Sequence, residues 1–215
     1  MQEQKRNYQK ELERIIAANE KAGTRPRLLL HACCAPCSSY VMEYLSRYFD
    51  ITVFYYNPNI DTKEEYMHRT KELERLIREM PLASPVKLLV GPYEPERFYE
   101  IARGHEKDPE RGERCMRCYE LRLRESAAFM QAENRRAEKP VYDYFTTTLS
   151  ISPLKDAKAL NEIGERVAAE YGVSYLPSDF KKKEGYKRSI ELSRTYELYR
   201  QDYCGCIFSK QAREA

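Results

Sequence analysis

Seven cysteines fall into three groups in this chain: Cys33, Cys34 and Cys37 within His31-Ala-Cys-Cys-Ala-Pro-Cys37, then Cys115 with Cys118, then Cys204 with Cys206. Three thiols so close together are too many for packing alone. Two C-x-x-C spacings and an odd total argue for metal or redox chemistry rather than a disulfide framework. Thiolate suits zinc and iron–sulfur centres, and either a zinc ion or a four-iron cluster closes with four ligands. Three of the seven thiols are then left over, which points to a second metal beside the first, with an open position. If Cys33 and Cys34 lie in extended backbone they point to opposite sides, so adjacent residues could serve adjacent metals. Spacing assigns none of the other five. A thiol–disulfide pair at Cys34 and Cys37 is a rival reading, but the distant Cys204 and Cys206 lend it nothing. A zinc-stabilised RNA-binding module without catalysis is the other rival, and a brown, iron-loaded protein would exclude it.

The elements that must position these thiols alternate. Residues 2–22 read as a charged amphipathic helix with Leu12, Ile15 and Ile16 on one face and Gly23 as its stop. Residues 27–32 read as a buried strand, and Pro36 opens a helix through Val41, Leu45 and Tyr48, so Cys33 to Cys37 occupy a strand-to-helix turn. Further strands are predicted at 51–56, 86–90 and 141–147, with a fifth at 173–176. Helices are predicted at 62–80, 95–102 and 115–133, and from Ser152, as cap, to Tyr171. This alternation implies an α/β fold: a Rossmann-like, doubly wound, mostly parallel sheet with helices on both faces and the metal site at the carboxyl edge of the strands. Cys115 and Cys118 stand one turn apart at a helix start, where the helix dipole favours thiolate.

With 215 residues, 42% of them hydrophobic, one metal-binding domain over 1–215 is expected. Residues 1–24 form its helical extension and 178–215 a basic segment closing over the site. No apolar run is long enough for a signal peptide or a membrane span, which predicts a cytoplasmic protein with reduced thiols. The net charge of +3 is unevenly spread: residues 181–215 hold nine Lys/Arg against five acids, and the preceding 180 residues sum to −1. Basic residues interleaved with Tyr186, Tyr196, Tyr199 and Tyr203 suit phosphates and unstacked bases, although charge alone fits a solvated helix face as well. The absence of G-x-G-x-x-G and G-x-x-x-x-G-K-[ST] loops argues against a dinucleotide or P-loop enzyme.

Several separated motifs, in order, resemble the QueH-type epoxyqueuosine reductases from about residue 27 to 209. They are the first cysteine group, Asn57-Pro-Asn-Ile60 with Glu65-Tyr66 and Arg69, Glu113-Arg-Cys-x-x-Cys118 with Arg122-Leu123, Thr146-Thr-Thr-Leu149 with Ser152-Pro153 and Lys155, and Tyr199-Arg-Gln-x-Tyr-Cys-Gly-Cys206 with Ser209. The resemblance implies a cobalamin-independent oxidoreductase that removes the epoxide oxygen of epoxyqueuosine in the anticodon loop of tRNA, giving queuosine. It implies a 4Fe-4S cluster next to a mononuclear iron, with Cys33, Cys34, Cys37, Cys115, Cys118, Cys204 and Cys206 as the ligand set. In some relatives an acidic residue can stand where this chain has Cys37. Carboxylate suits a single iron better than a cluster corner, which assigns Cys37 to the single iron. Losing the oxygen as water needs two electrons, two protons and an electrophile, so the expected partners include an external one-electron donor such as a ferredoxin or flavodoxin.

The remaining candidates each have a plain structural alternative. His31, at a strand end, could donate a proton or simply bond backbone, and it stands with Cys37 and Asp179 as a catalytic candidate. Asn57 and Asn59 could read the modified base or turn the chain around Pro58. Thr147 and Arg122 are candidate substrate contacts, and Lys155 is the better placed for phosphate. In the tail, Asp179, Lys181, Lys182, Tyr186 and Arg200 could hold the anticodon loop, whose splayed bases are read by stacking and edge contacts.

Overall fold

Both faces of strand β1 (Arg27–His31) are apolar because both are covered. Leu28 and Leu30 enter one core and Leu29 the other, and all three are fully buried. β2 (Asp50–Tyr55) repeats the division, Val53 and Tyr55 on one side and Phe54 on the other. With β3 (Lys87–Val90) and β4 (Tyr144–Thr147) they form an all-parallel sheet in the order β3-β2-β1-β4. The register pairs Leu30 with Val53 and Thr146, and His31 with Phe54 and Thr147. The structure, a computed structural model, describes residues 6–214; residues 2–5 of the predicted first helix lie outside that range.

On one face lie α1 (Tyr8–Lys21), α2 (Ala35–Leu45), α3 (Lys63–Glu79) and α7 (Gly185–Thr195). On the other lie α5 (Glu113–Arg136) and α6 (Ala157–Tyr171). The short α4 (Pro95–Ala102) packs on α5, and Phe98 and Ala102 form a small cluster with Cys118 and Cys206; the latter immediately precedes α8 (Ile207–Glu214). The chain leaves the carboxyl end of β1 for α2 on one face and that of β4 for α6 on the other, so the two connections part above the sheet edge. A crevice opens there, as such sheets require. Among the described residues no helix is long and apolar enough to cross a membrane.

Three sequence-level boundaries move. Ser152 does not cap α6. It ends a 3-10 helix (Thr148–Ile151), while the Asp156 carboxylate accepts from Lys158 N and Ala159 N at 2.8 and 3.1 Å and caps the helix, which starts at Ala157. The fifth strand shrinks to one bridge, Phe145 to Tyr175. The groups that would extend the ladder are already engaged: Leu176 O accepts from the Thr146 hydroxyl at 2.8 Å, and Ser178 N donates to Asn161 Oδ1 at 2.8 Å. α5 begins at Glu113 rather than Cys115, which carries Cys115 and Cys118 into its first two turns.

The fit of α7 against α2 depends on Gly185, where a Cβ would lie 2.0 Å from Phe180 O and 2.4 Å from the Tyr40 ring. The carbonyl is backbone and cannot swing away. Gly185→Ala is therefore expected to destabilise the protein by about 1–3 kcal/mol, the usual cost of overpacking, read as a lowered urea midpoint at unchanged m-value.

Candidate metal centre

The chain leaves β1 at His31, bends at Cys33, and enters α2 with Cys34 as the helix N-cap and Pro36 in the first turn. Cys34 is extended (φ −171°, ψ 166°), yet its Sγ lies 3.8 Å from that of Cys33, and the Cys37 sulfur joins them so that all three lie within 4.8 Å of one another. The expectation that Cys33 and Cys34 face apart is thus overturned. Alternation holds along a continued strand, whereas here the bend turns the Cys33 side chain and the first helical turn folds Cys37 back. Cys34 is buried and the other two half-buried; all seven cysteines are free thiols. Hydrogen bonds from Cys33 and Cys37 hold the Cys34 thiol well below its ordinary pKa, and the same sharing raises Cys37. Three close sulfurs, one of them disposed to ionise, are the donor chemistry of a thiolate metal site.

The other four thiols line a cavity of about 580 Å³, together with Asn59, Arg114, Tyr119, Arg122 and Lys155. A second cavity, about 300 Å³, holds Cys33, Cys34 and Cys37. Cys204, Arg122, Lys155 and Glu110 line both, so the cavities share a wall. Burial pushes Cys118 up to about 11 and Cys206 up to about 12. These sulfurs resist ionisation unless a cation or a metal offsets the charge.

Arg122 supplies such a cation. It is 1% exposed, its Nε donates to Cys118 O at 3.2 Å and its Nη1 to Asn57 Oδ1 at 3.4 Å, while Nη2 has no partner. Arg69, Arg114, Tyr119, Asn59 and Gln201 line the same cavities, and each also holds a buried polar atom without a partner. Four of these atoms, on Arg69, Arg114, Arg122 and Tyr119, are donors, and orphaned donors around the thiols fit an anionic group such as a metal–sulfur centre, while the amide oxygens of Asn59 and Gln201 are free to accept.

The structure brings together some of the sequence candidates and not others. Arg122 and Lys155 line both cavities, Asn59 the larger, Tyr186 and Arg200 the smaller. Lys155 is paired with Glu110 at 2.7 Å. His31 is fully buried, its Nε2 donating to Tyr56 O at 3.0 Å and its Nδ1 accepting from the Thr147 hydroxyl at 2.8 Å. A carbonyl can only accept, which fixes this tautomer and leaves neither His31 nor Thr147 facing a cavity. Asn57 donates to Ala32 O at 2.8 Å and buttresses Arg122. Asp179 pairs with Lys181 at 2.7 Å, Lys182 is exposed, and none of these three lines either cavity.

Sequence reasoning left Arg69, Arg114, Glu110 and Gln201 out of the site. Arg69 carried a readable signal: it falls on the buried face of α3 between Tyr66 and Leu73, where a charge needs a reason, and it pairs with Glu65 at 2.7 Å. Glu110 carried none, because it sits in a charged loop that only the fold carries to the thiols.

Fold and site together define an α/β protein whose parallel strand ends bring cysteines from three separate chain segments to two adjoining cavities, with one group, Cys33, Cys34 and Cys37, close enough together to hold a metal. Residues 28–212 match the family model for epoxyqueuosine reductase QueH, and the chain belongs to that family. It is 44% identical over 213 residues to the epoxyqueuosine reductase QueH of Staphylococcus epidermidis, covering 97% of this chain and 87% of that protein. It is 42% identical over 213 residues to the Staphylococcus aureus protein of the same name, covering 97% and 86%. The Streptococcus pyogenes serotype M1 protein is 39% identical over 208 residues, covering 96% and 79%.

The clamp on His31 has a pH signature. Burial first, and then the Arg122 charge, lower its pKa to about 4. The ordinary value is about 6.5, so in between the unfolded chain binds a proton that the native chain does not, and stability falls as pH falls. Between pH 7.5 and 5, wild type is expected to lose about 2 kcal/mol more than His31→Gln in urea unfolding.

Proposed function

We propose that this protein removes the epoxide oxygen of epoxyqueuosine in the anticodon loop of tRNA, releasing it as water and leaving queuosine. The observation that carries the reading is the meeting of all three cysteine groups at two cavities with a shared wall, in a chain of the QueH family. The reaction consumes two electrons and two protons per oxygen, and an external one-electron donor such as a ferredoxin or flavodoxin supplies the electrons in two steps. The seven cysteines would hold a 4Fe-4S cluster and a mononuclear iron, Cys37 serving the iron, without cobalamin. When bound, the cluster would supply single electrons and the iron would supply Lewis acidity toward the epoxide oxygen. The whole reading concerns one metal-binding domain in the cytoplasm, with its basic C-terminal segment folded over the site.

The chain's own residues then bind and orient the substrate. The smaller cavity has Tyr186 and Arg200 at an exposed rim and Lys155 deeper in. A tyrosine ring stacks on an unpaired base, and arginine and lysine take phosphate or ribose oxygens. Asn59, with its Oδ1 unpartnered at the larger cavity, is available to a hydrogen-bond donor of the substrate. Lys181 and Lys182 lie outside the cavities, at the start of the tail, and would meet the RNA backbone beside the site.

The test is incubation of anaerobically reconstituted protein with epoxyqueuosine-containing tRNA and a reductant, followed by nucleoside mass analysis. Loss of one oxygen from the modified nucleoside is expected, and unchanged epoxide would overturn the reading. Cys37→Ala is expected to keep the brown colour of its cluster and lose turnover by at least about 100-fold, the scale on which removing a group from a metal or its support acts. Neutralising Arg200 and Lys182 together should weaken tRNA binding several-fold and flatten its dependence on salt.

A further inference from the structure

Two buried cations, Lys155 and Arg122, line both cavities. Lys155 has its carboxylate in Glu110. Arg122 has none: among the described residues no carboxylate oxygen lies within 4.0 Å of it, and its recorded partners are a carbonyl and an amide oxygen. Arg114, the other buried arginine here without a carboxylate, is differently placed. It lines only the larger cavity, caps His105 O and Glu106 O, and lies over the Phe208 ring. Arg122 follows Cys115 and Cys118 by seven and four residues, so α5 presents the three on one face. The nearby groups able to carry negative charge against it are Cys118, Cys204 and Cys33, one from each cysteine group, and Tyr119.

A buried cation is retained only where something negative accompanies it. We propose that Arg122 is the fixed counter-charge of the sulfur centre, a positioning residue whose guanidinium offsets the negative charge of the metal–thiolate group and so raises its reduction potential. This rests on the iron reading given above. Each added electron makes the centre more negative, and a fixed positive charge within a low-dielectric wall favours the reduced state over the oxidised one. Arg122 acts through the centre rather than on the nucleoside, which replaces its reading as a substrate contact. Asn57, accepting from Nη1, holds the guanidinium in place without neutralising it, where an aspartate would cancel the charge.

The experiment is a redox titration of the reconstituted full-length protein, followed by electron paramagnetic resonance, with iron and sulfide content measured alongside. Arg122→Gln is expected to lower the reduction equilibrium constant at least tenfold, about 59 mV for one electron. Arg122→Lys should stay within a few-fold of wild type. Asn57→Asp, which supplies the missing carboxylate at the cost of the hydrogen bond to Ala32 O and leaves Arg122 in the chain, should lower the potential as Arg122→Gln does, and it serves where the glutamine variant loads no iron. Loss of iron by the glutamine variant but not the lysine variant also supports the proposal. A glutamine variant at the wild-type potential, or glutamine and lysine variants equally shifted or equally depleted of iron, overturns it. Wild-type protein that takes up no iron overturns the iron reading itself and this proposal with it, a result visible before any substitution is made.

Discussion

The imidazole of His31 ties three strand ends together, and the sulfur centre hangs from that knot. It sits at the last residue of β1, reaches Thr147 at the end of β4, and donates to Tyr56 just past β2. The site lies beyond the carboxyl ends of these parallel strands, where the backbone ladder no longer fixes their spacing and a side chain can. A neutral imidazole does this with one donor and one acceptor and adds no charge to a wall that already carries Arg122. The Thr147 hydroxyl also accepts from Leu149 N, and Thr148 Oγ1 accepts from Cys33 N at 3.3 Å, so the turn after β4 and the turn after β1 are fixed together. The position of Cys33 follows from these neutral bonds, before any metal is considered.

Charge is the second constraint. Buried thiols such as Cys118 and Cys206 resist ionisation, and guanidinium groups resist burial. Either group alone would be costly in this wall, and together they offset one another. Arg69 and Lys155 carry their own carboxylates, Glu65 and Glu110, and so contribute dipoles more than charge. Arg122 contributes charge. The buried polar atoms without partners follow the same logic in part: of the ten described residues that hold them, six line the two cavities.

Much of this was legible in the sequence, for physical reasons that differ by element. The strands and helices of the sheet were readable because burial on both faces forces continuous apolar runs in β1 and β2 and a 3.6-residue stripe in α3. The cysteine grouping was readable because soft ligands have few other uses in such spacing. The orientation of Cys33 was not, since strand alternation fails at the residue where the strand stops. The cap of α6 was misplaced because Ser152 and Asp156 are both good caps and only the fold, which needs a turn to bring Lys155 inward, decides between them. Asp179, Lys181 and Lys182 were chosen for charge and position in a basic tail, and sequence charge carries no information on which side of a turn faces the cavity.

The tail shows how distant residues come to complete such a centre. Its attachment is to α3 and the loop before it: Tyr199 donates to Glu65, Tyr203 donates to Asp61 at 3.1 Å, and Asp61 N donates to Gly205 O at 2.9 Å. Gly205 has φ 108°, a conformation that side chains rarely adopt, and a Cβ there would stand 3.0 Å from Arg69 Nη1 and 3.4 Å from Asn59 Nδ2. The glycine between Cys204 and Cys206 is therefore a packing requirement. It lets the backbone lie against two polar residues of the cavities and sends the flanking thiols to different places, Cys204 to the wall the cavities share and Cys206 to the larger one alone. A residue with a side chain at 205 would be strained in this backbone conformation and would press on Arg69, Ile60 and Asn59, so the glycine sets how closely the segment carrying both cysteines approaches the cavity wall.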